Sequence, residues 1–451
     1  MGVLFGTDGI RGVANKELSA ELAFKTGRSG AYVLTKTVNK RPRILIGKDT
    51  RKSGDMLEAA LTAGLCSVGA KVIPLGVVPT PAVAYLTRLY KADAGVVISA
   101  SHNPCEYNGI KFFNSEGYKL KDEIENEIED YILGRKEIED LPTHGKVGYV
   151  SANHNAVEDY VSFAISTIDC RLDGLKVAID CANGASYQTA FNALNKLGAN
   201  VEAIHNTPDG VNINAMCGST HMESLQAYVT SIGADVGIAF DGDADRMLAV
   251  DEKGNIIDGD QVMAMCAHHM KDIGTLKNDT LVATVMSNLG LKLFGEEKGI
   301  TVEQTKVGDR YVLERMLEGG FNLGGEQSGH IIFLDHNTTG DGLVSALQFL
   351  SMLKKTGLKA SEAAKVIDVL PQVLINAKVK LENKDRYMEV QEISDACHAL
   401  EKEFQGKGRV LIRPSGTEPL VRVMIEGENK EYITKKAREL ADMIEKILGD
   451  N

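Results

Sequence analysis

Ser101 follows an apolar run and opens a polar turn, in the order Ala94-Gly95-Val96-Val97-Ile98-Ser99-Ala100-Ser101-His102-Asn103-Pro104. Such a run reads as a buried strand, and the polar residues ending in proline stop it and leave the hydroxyl at the strand's carboxyl end. That is where open α/β sheets bind ligands and where a nucleophilic or phosphorylated serine is useful. Taken alone, the motif is an ordinary turn with a capping serine. A second cluster, Asp241-Gly242-Asp243-Ala244-Asp245-Arg246, also follows an apolar run, Val236 to Phe240. Three carboxylates spaced by two residues suit a hard divalent cation, with Mg²⁺ the expected metal, and leave room for a phosphate oxygen. A calcium loop of the EF-hand type would need glycine where Arg246 stands and a helix in front rather than a strand. A stronger rival is an aspartyl-phosphate phosphatase in which Asp241 is the nucleophile and Asp243 the acid.

Two further loops carry polar chemistry. Gly324-Gly325-Glu326-Gln327-Ser328-Gly329-His330 offers acceptors, a hydroxyl and an imidazole that suit a hydroxyl-rich ligand, although such a sequence is by itself only a turn. Arg413-Pro414-Ser415-Gly416-Thr417-Glu418-Pro419, with Arg422 after it, gathers two guanidinium groups, two hydroxyls and backbone N–H groups into a phosphate clamp. It lacks the spacing of a nucleotide P-loop, so the anion it suits is a substrate's phosphate. Arg11, Lys48, Arg51 and Lys111 could complete a reacting centre, but each taken singly reads as a surface charge.

Strands alternate with amphipathic helices to hold these loops. Arg43 to Gly47 precedes a helix that Ser53 can cap, with Met56, Leu57, Ala60, Leu61, Leu65 and Val68 on one face. The pattern restarts at Lys176 to Asp180, at Ala234 to Phe240 and at Leu281 to Val285, which predicts βαβ crossovers and mixed sheets. Lys119 to Glu139 is so poor in apolar residues that an exposed helix is expected. Boundaries fall near 150, after 253 and near 370, giving domains 1–150, 151–253, 254–369 and 370–451. The first three carry the serine, the three-aspartate and the glycine-rich loops in turn, and their similar size and pattern suggest a triplicated α/β unit. The last is a smaller α+β domain with the arginine clamp: a strand from Val373 to Leu381, a helix through Met388, Ile393 and Leu400, two strands around Arg413 to Pro419, and a closing helix through Ile433 and Ile444.

Composition narrows the partners. Across 451 residues, 50 lysines and arginines face 62 acidic residues for a net charge of −12, which argues against nucleic acid as a partner. No apolar run is long enough to cross a bilayer, the first residues do not read as a secretory signal, and the seven scattered cysteines form no Cys-x-x-Cys pair. A reducing cytoplasm is the expected compartment, and Cys105, near Ser101, is expected to be a small packed residue rather than a reactive thiol.

The four clusters, in this order, make the chain similar to the α-D-phosphohexomutase superfamily over essentially its full length, and most of all to its bacterial glucosamine-phosphate branch. The resemblance implies three related mixed-sheet α/β domains and a smaller C-terminal α+β domain around a central cleft. It implies a phosphoserine at Ser101, Mg²⁺ held by Asp241, Asp243 and Asp245 with the Ser101 phosphate, and Lys111 and His330 as acid and base, with Arg11 and Arg246 assisting. Glu326 and Ser328 would bind sugar hydroxyls, and Arg413, Ser415, Gly416, Thr417 and Arg422 the phosphate that is not reacting. The implied reaction interconverts the 6- and 1-phosphates of a hexosamine through a bisphosphate, glucosamine 1,6-bisphosphate, which also primes the enzyme. It would serve the synthesis of UDP-N-acetylglucosamine and cell-wall precursors. A homodimer fits the resemblance, as does glucose or mannose in place of glucosamine. Outside it stand the phosphatase and a non-catalytic sugar-phosphate or metal-binding protein.

Overall fold

The computed structural model describes residues 3–6, 8–36, 40–387, 389–415 and 418–449. By contact density the chain falls into two units, one of 1–286 with 300–366 and one of 287–299 with 367–451.

In the larger unit, eleven strands build the first two sheets: Ile10–Val13 (β1), Arg43–Lys48 (β2), Lys71–Val77 (β3), Ala94–Ile98 (β4), Tyr107–Asn114 (β5), Tyr149–Val150 (β6), Lys176–Asp180 (β7), Asn200–Ile204 (β8), Val236–Phe240 (β9), Met247–Asp251 (β10) and Ile256–Ile257 (β11). Thr280–Thr284 (β12), Thr301–Thr305 (β13), Leu323–Gly325 (β14) and Ile331–Phe333 (β15) form the third. The orders are β1-β5-β4-β2-β3-β6, β11-β10-β9-β7-β8 and β13-β12-β14-β15. One four-strand pattern recurs in all three: two parallel strands joined by a crossover, a third parallel to the first on its other side, and a fourth antiparallel to the third. The triplication expected from the sequence is thus a repeat of topology. β4 and β9 are buried along their whole length, as strands covered on both faces must be.

Two local expectations are corrected. The helix after β2 spans Ser53–Ser67, so Ser53 is its first residue and not its cap, and the Ser53 hydroxyl instead accepts from Asn108 Nδ2 at 2.9 Å. Within the charged stretch 119–139, the helix Asp122–Ile132 is not wholly exposed, since Ile128 and Ile132 join the first domain's core. The buried Glu129 accepts the backbone N–H groups of Val3, Leu4 and Phe5 at 2.9, 2.8 and 3.3 Å. A sparse apolar pattern is enough for one buried stripe, and the carboxylate belongs to the fold because three donors satisfy it.

In the smaller unit, Gln372–Lys378 (β16), Gly408–Pro414 (β17) and Leu420–Gly427 (β18) form an antiparallel sheet in the order β16-β18-β17. Helices Gln391–Phe404 and Lys430–Leu448 bury Ile393, Ile433, Ala437 and Ile444 against Val421, Val423 and Ile425. Met388, expected on the first of these helices, lies outside the described residues. Glu426 is buried against Arg409 at 2.6 Å and accepts from Leu289 N at 3.0 Å, which ties the 287–299 segment into this unit. Among the described residues no helix is long and apolar enough to cross a membrane.

Candidate active site

All three loops of the larger unit occupy the same place in the repeat, between its third and fourth strands. The serine loop joins β4 to β5, the aspartate loop β9 to β10, and the glycine-rich loop β14 to β15. Such a connection emerges at the carboxyl end of a parallel strand, so one topology repeated three times delivers three sets of polar groups to equivalent edges.

Ser101 is 2% exposed and its backbone is left-handed, with φ 51. Its Oγ donates to Asp241 Oδ2 at 2.6 Å and lies 3.4 Å from His102 Nδ1. Asp241 Oδ1 accepts from Arg246 N at 3.2 Å. Asp243 Oδ2 accepts the Thr80 hydroxyl at 2.6 Å, and Thr80 N donates to Asp243 O at 2.9 Å. Asp245 Oδ2 is 3.5 Å from His330 Nδ1. One oxygen from each of the three aspartates can lie within 4.8 Å of the others, while Asp243 Oδ1 and Asp245 Oδ1 are buried without a hydrogen-bond partner. Buried carboxylate oxygens are expensive to leave without a partner, and three of them this close could hold a cation. Burial, followed by the charges of Asp245 and Asp243, pushes the Asp241 carboxyl well above its usual range. Burial also opposes ionisation of Asp245, but His330, Lys111 and Arg246 hold that carboxyl low.

His330 is buried between two carboxylates, with Asp309 Oδ2 3.5 Å from its Nε2. Burial disfavours the imidazolium, yet Asp245 and Asp309 together raise its pKa. Nε2 accepts from Gly340 N at 3.1 Å, so the neutral ring carries its proton on Nδ1, facing Asp245. Lys111 is 5% exposed on β5, opposite Val97 of β4, with its ammonium 3.8 Å from Asp8. Arg11 reaches Asp8 at 3.3 Å, and Arg246 reaches His102 at 3.4 Å. Burial, then Arg246 and Arg11, lowers the His102 pKa. Glu326 accepts from Gly308 N at 3.1 Å, while Ser328 is exposed. Met247 N donates to Gly329 O at 3.0 Å, joining the aspartate and glycine-rich loops.

In the smaller unit Arg413 and Arg422 are cross-strand partners. Burial and the neighbouring Arg422 lower the Arg413 pKa. Like charges set opposite each other in a sheet are unfavourable without an anion between them. Ser415 Oγ accepts from Glu418 N at 3.3 Å. Gly416 and Thr417 lie outside the described residues.

Arg51 and Lys111, each singly read as surface charges, are buried at 2% and 5% exposure. Lys48 is held away by Asp55 and Glu58, both at 2.6 Å. Asp8, Asp49, Thr80, His102, Asn214 and Asp309 were not singled out from the sequence, because their roles depend on contacts between loops far apart in the chain. Cys105 is half-buried, and its thiol is pushed up by burial and Glu106.

A second group of metal-ligand types, Asp180, His205 and Cys217, is held as a structural knot. His205 Nδ1 lies 2.8 Å from Asp180 Oδ2, which also accepts from Gly218 N at 3.0 Å. The Cys217 thiol is pushed up to about 12 by burial and Asp180. The hydrogen bond to Asp180 raises the His205 pKa above 6.5. The stability from this pair is therefore fully present below pH 6.5 and lost as pH rises through the folded value. Urea midpoints taken at roughly pH 6 and roughly pH 8 should fall less steeply with pH in His205→Asn than in the wild type. Equal slopes would contradict the pairing.

Comparison with known proteins agrees with this architecture. Four profiles of phosphoglucomutase/phosphomannomutase match in order: α/β/α domain I at residues 2–139, domain II at 157–254, domain III at 258–369 and the C-terminal domain at 374–445. A phosphoglucosamine mutase of Ruminiclostridium cellulolyticum is 63% identical over 445 residues, 99% of each chain. One from Acetivibrio thermocellus is 62% identical over 449 residues, 100% of each. Among solved structures, a phosphoglucomutase/phosphomannomutase family protein from Burkholderia thailandensis superimposes with TM-score 0.82 at 24% identity, covering 98% of this chain and 97% of its own. The N-acetylphosphoglucosamine mutase of Aspergillus fumigatus, solved with GlcNAc-6P and magnesium, gives TM-score 0.70 at 18% identity, covering 98% and 95%. With four domain profiles in order and full-length relatives above 60% identity, the chain belongs to the phosphoglucomutase/phosphomannomutase family.

Proposed function

We propose that this chain is an isomerase that interconverts glucosamine 6-phosphate and glucosamine 1-phosphate, the activity named in its full-length relatives. Ser101 is the phosphoryl carrier. In the forward half-reaction the bond from phosphorus to Ser101 Oγ breaks and Ser101 Oγ takes a proton, while a bond from phosphorus to the free sugar hydroxyl oxygen forms and that hydroxyl's proton passes to an enzyme base. In the second half Ser101 Oγ gives up its proton and bonds to the other phosphorus of the bisphosphate, and the sugar oxygen that leaves takes a proton from the enzyme. Lys111 and His330 are the proton-transfer groups, and Arg11 and Arg246 balance phosphate charge. Glu326 and Ser328 take the sugar hydroxyls, and Arg413, Ser415 and Arg422, with Gly416 and Thr417, take the distal phosphate.

One observation carries the reading: Ser101 Oγ is seated 2.6 Å from an aspartate whose two companions each keep a buried oxygen without a hydrogen-bond partner. Asp241, Asp243 and Asp245, with a Ser101 phosphate oxygen, would hold Mg²⁺. Bound there, the ion offsets charge on the phosphoryl group.

Turnover of glucosamine, glucose and mannose 6-phosphates, each primed with its bisphosphate in Mg²⁺, should favour glucosamine. A preference for glucose or mannose would overturn the sugar assignment. Net release of inorganic phosphate would favour the phosphatase, and saturable binding without turnover a non-catalytic protein.

A further inference from the structure

Ser101 adopts a left-handed backbone, which is strained for a non-glycine residue and persists only where the surroundings enforce it. The groups that enforce it act on its carbonyl. Ser101 O accepts from Arg51 Nη2 at 2.9 Å and from Asn214 Nδ2 at 2.8 Å. Asn103 O accepts from the same two side chains at 2.8 and 3.0 Å. Two donors thus bridge the same two carbonyls on either side of His102.

Arg51 spends all five of its N–H groups here. Nε goes to Asp49 Oδ2 at 2.8 Å, Nη1 to the carbonyls of Pro104 and Tyr107, and Nη2 to those of Ser101 and Asn103. Asp49 in turn takes the Ser99 hydroxyl at 2.5 Å, and Ser99 Oγ accepts from Ser101 N at 3.0 Å. The serine loop is wound around one buried guanidinium, an arrangement a lysine's point charge cannot reproduce.

Asn214 comes from elsewhere, in the loop after β8 of the second sheet, with its own N–H on Ala182 O at 2.9 Å. A Cβ on Gly242 would lie 2.6 Å from Ser101 O and 2.7 Å from Asn214 Nδ2, so the aspartate loop closes the remaining side. We propose that Asn214 and Arg51 are positioning residues that fix Ser101 against the Asp241 loop by saturating its carbonyl. Arg51 fixes the shape of the loop, and Asn214 fixes its register across two domains. Both act on backbone carbonyls, and neither side chain hydrogen-bonds the serine hydroxyl or the carboxylates of Asp241, Asp243 and Asp245.

The inference rests on Ser101 being the phosphoryl carrier. Asn214 itself is left-handed, with φ 57, so Asn214→Gly removes the donor without backbone strain, and Asn214→Asp keeps the shape but turns oxygen toward both carbonyls. Both variants should lose kcat by about 10- to 100-fold, the effect of a misplacement of about 1 Å. KM for glucosamine 6-phosphate, and the Mn²⁺ affinity of the unphosphorylated enzyme read by electron paramagnetic resonance, which reports the three aspartates alone, should stay at wild-type values. The ³¹P resonance of the phosphoenzyme should shift or broaden in both. Wild-type kcat with an unmoved ³¹P resonance in Asn214→Gly would overturn the inference, and so would a kcat loss matched by loss of Mn²⁺ binding. An active Ser101→Ala, by contrast, would overturn the carrier assignment itself.

Discussion

Ser101→Ala should lose roughly 10⁴-fold or more in turnover, the scale seen when a covalent nucleophile is removed from an otherwise intact site. The geometry leaves no substitute. Ser99 is the nearest hydroxyl in the loop, but its oxygen is committed to Asp49 at 2.5 Å and to the Ser101 amide at 3.0 Å. Intact-mass measurement of the purified wild type should find a phosphate that Ser101→Ala lacks, and fragmentation should place it on Ser101. Phosphate on Ser99, or turnover surviving in Ser101→Ala, would end the phosphoserine reading. If the surviving activity released inorganic phosphate, Asp241 would become the nucleophile to test.

Chelation of the divalent cation should abolish turnover, and Asp243→Asn in saturating Mg²⁺ should still lose about 10³-fold, the several kcal/mol that a metal contributes to a phosphoryl transition state. The same triad predicts a reversal in stability. Without metal, burial and two neighbouring carboxylates disfavour the ionised Asp241, so Asp241→Asn should melt at a higher temperature than the wild type. With Mg²⁺, binding to the native state alone should stabilise the wild type and invert the order. Thermal melts of both proteins in chelator and in Mg²⁺ decide the matter. Wild type more stable than Asp241→Asn in chelator would show that the carboxylates are satisfied by the fold rather than waiting for a cation.

Much of the fold was legible because a strand followed by a polar loop is written locally. Val96-Val97-Ile98 before Ser101 and Val236 to Phe240 before Asp241 each carry their burial in their own side chains. The helix at 122–132 does not read as buried because its apolar stripe is narrow, and because Glu129 is buried to satisfy three amides that stand 124 to 126 positions earlier in the chain. The candidate site was legible through residues clustered in sequence. Residues serving it from a distance were not: Thr80 on Asp243, Asp309 beside His330 and Asn214 on Ser101 stand 163, 21 and 113 positions from their partners. No spacing rule reaches that far. Arg51 had the right residue type but gave no sign that its charge would be buried among carbonyls.

The repeated strand order has an evolutionary consequence. If each chemical loop is the same connection in a copy of one ancestral unit, then carrier, cation and sugar functions arose by divergence within equivalent hairpins, and the sheets never had to be rebuilt. The framework then constrains only the ends of each hairpin, between β4 and β5, β9 and β10, and β14 and β15. On the roles proposed above, substrate preference is free to drift in the third hairpin while the first two keep their chemistry, so that one architecture would serve several sugars without reinventing phosphoryl transfer.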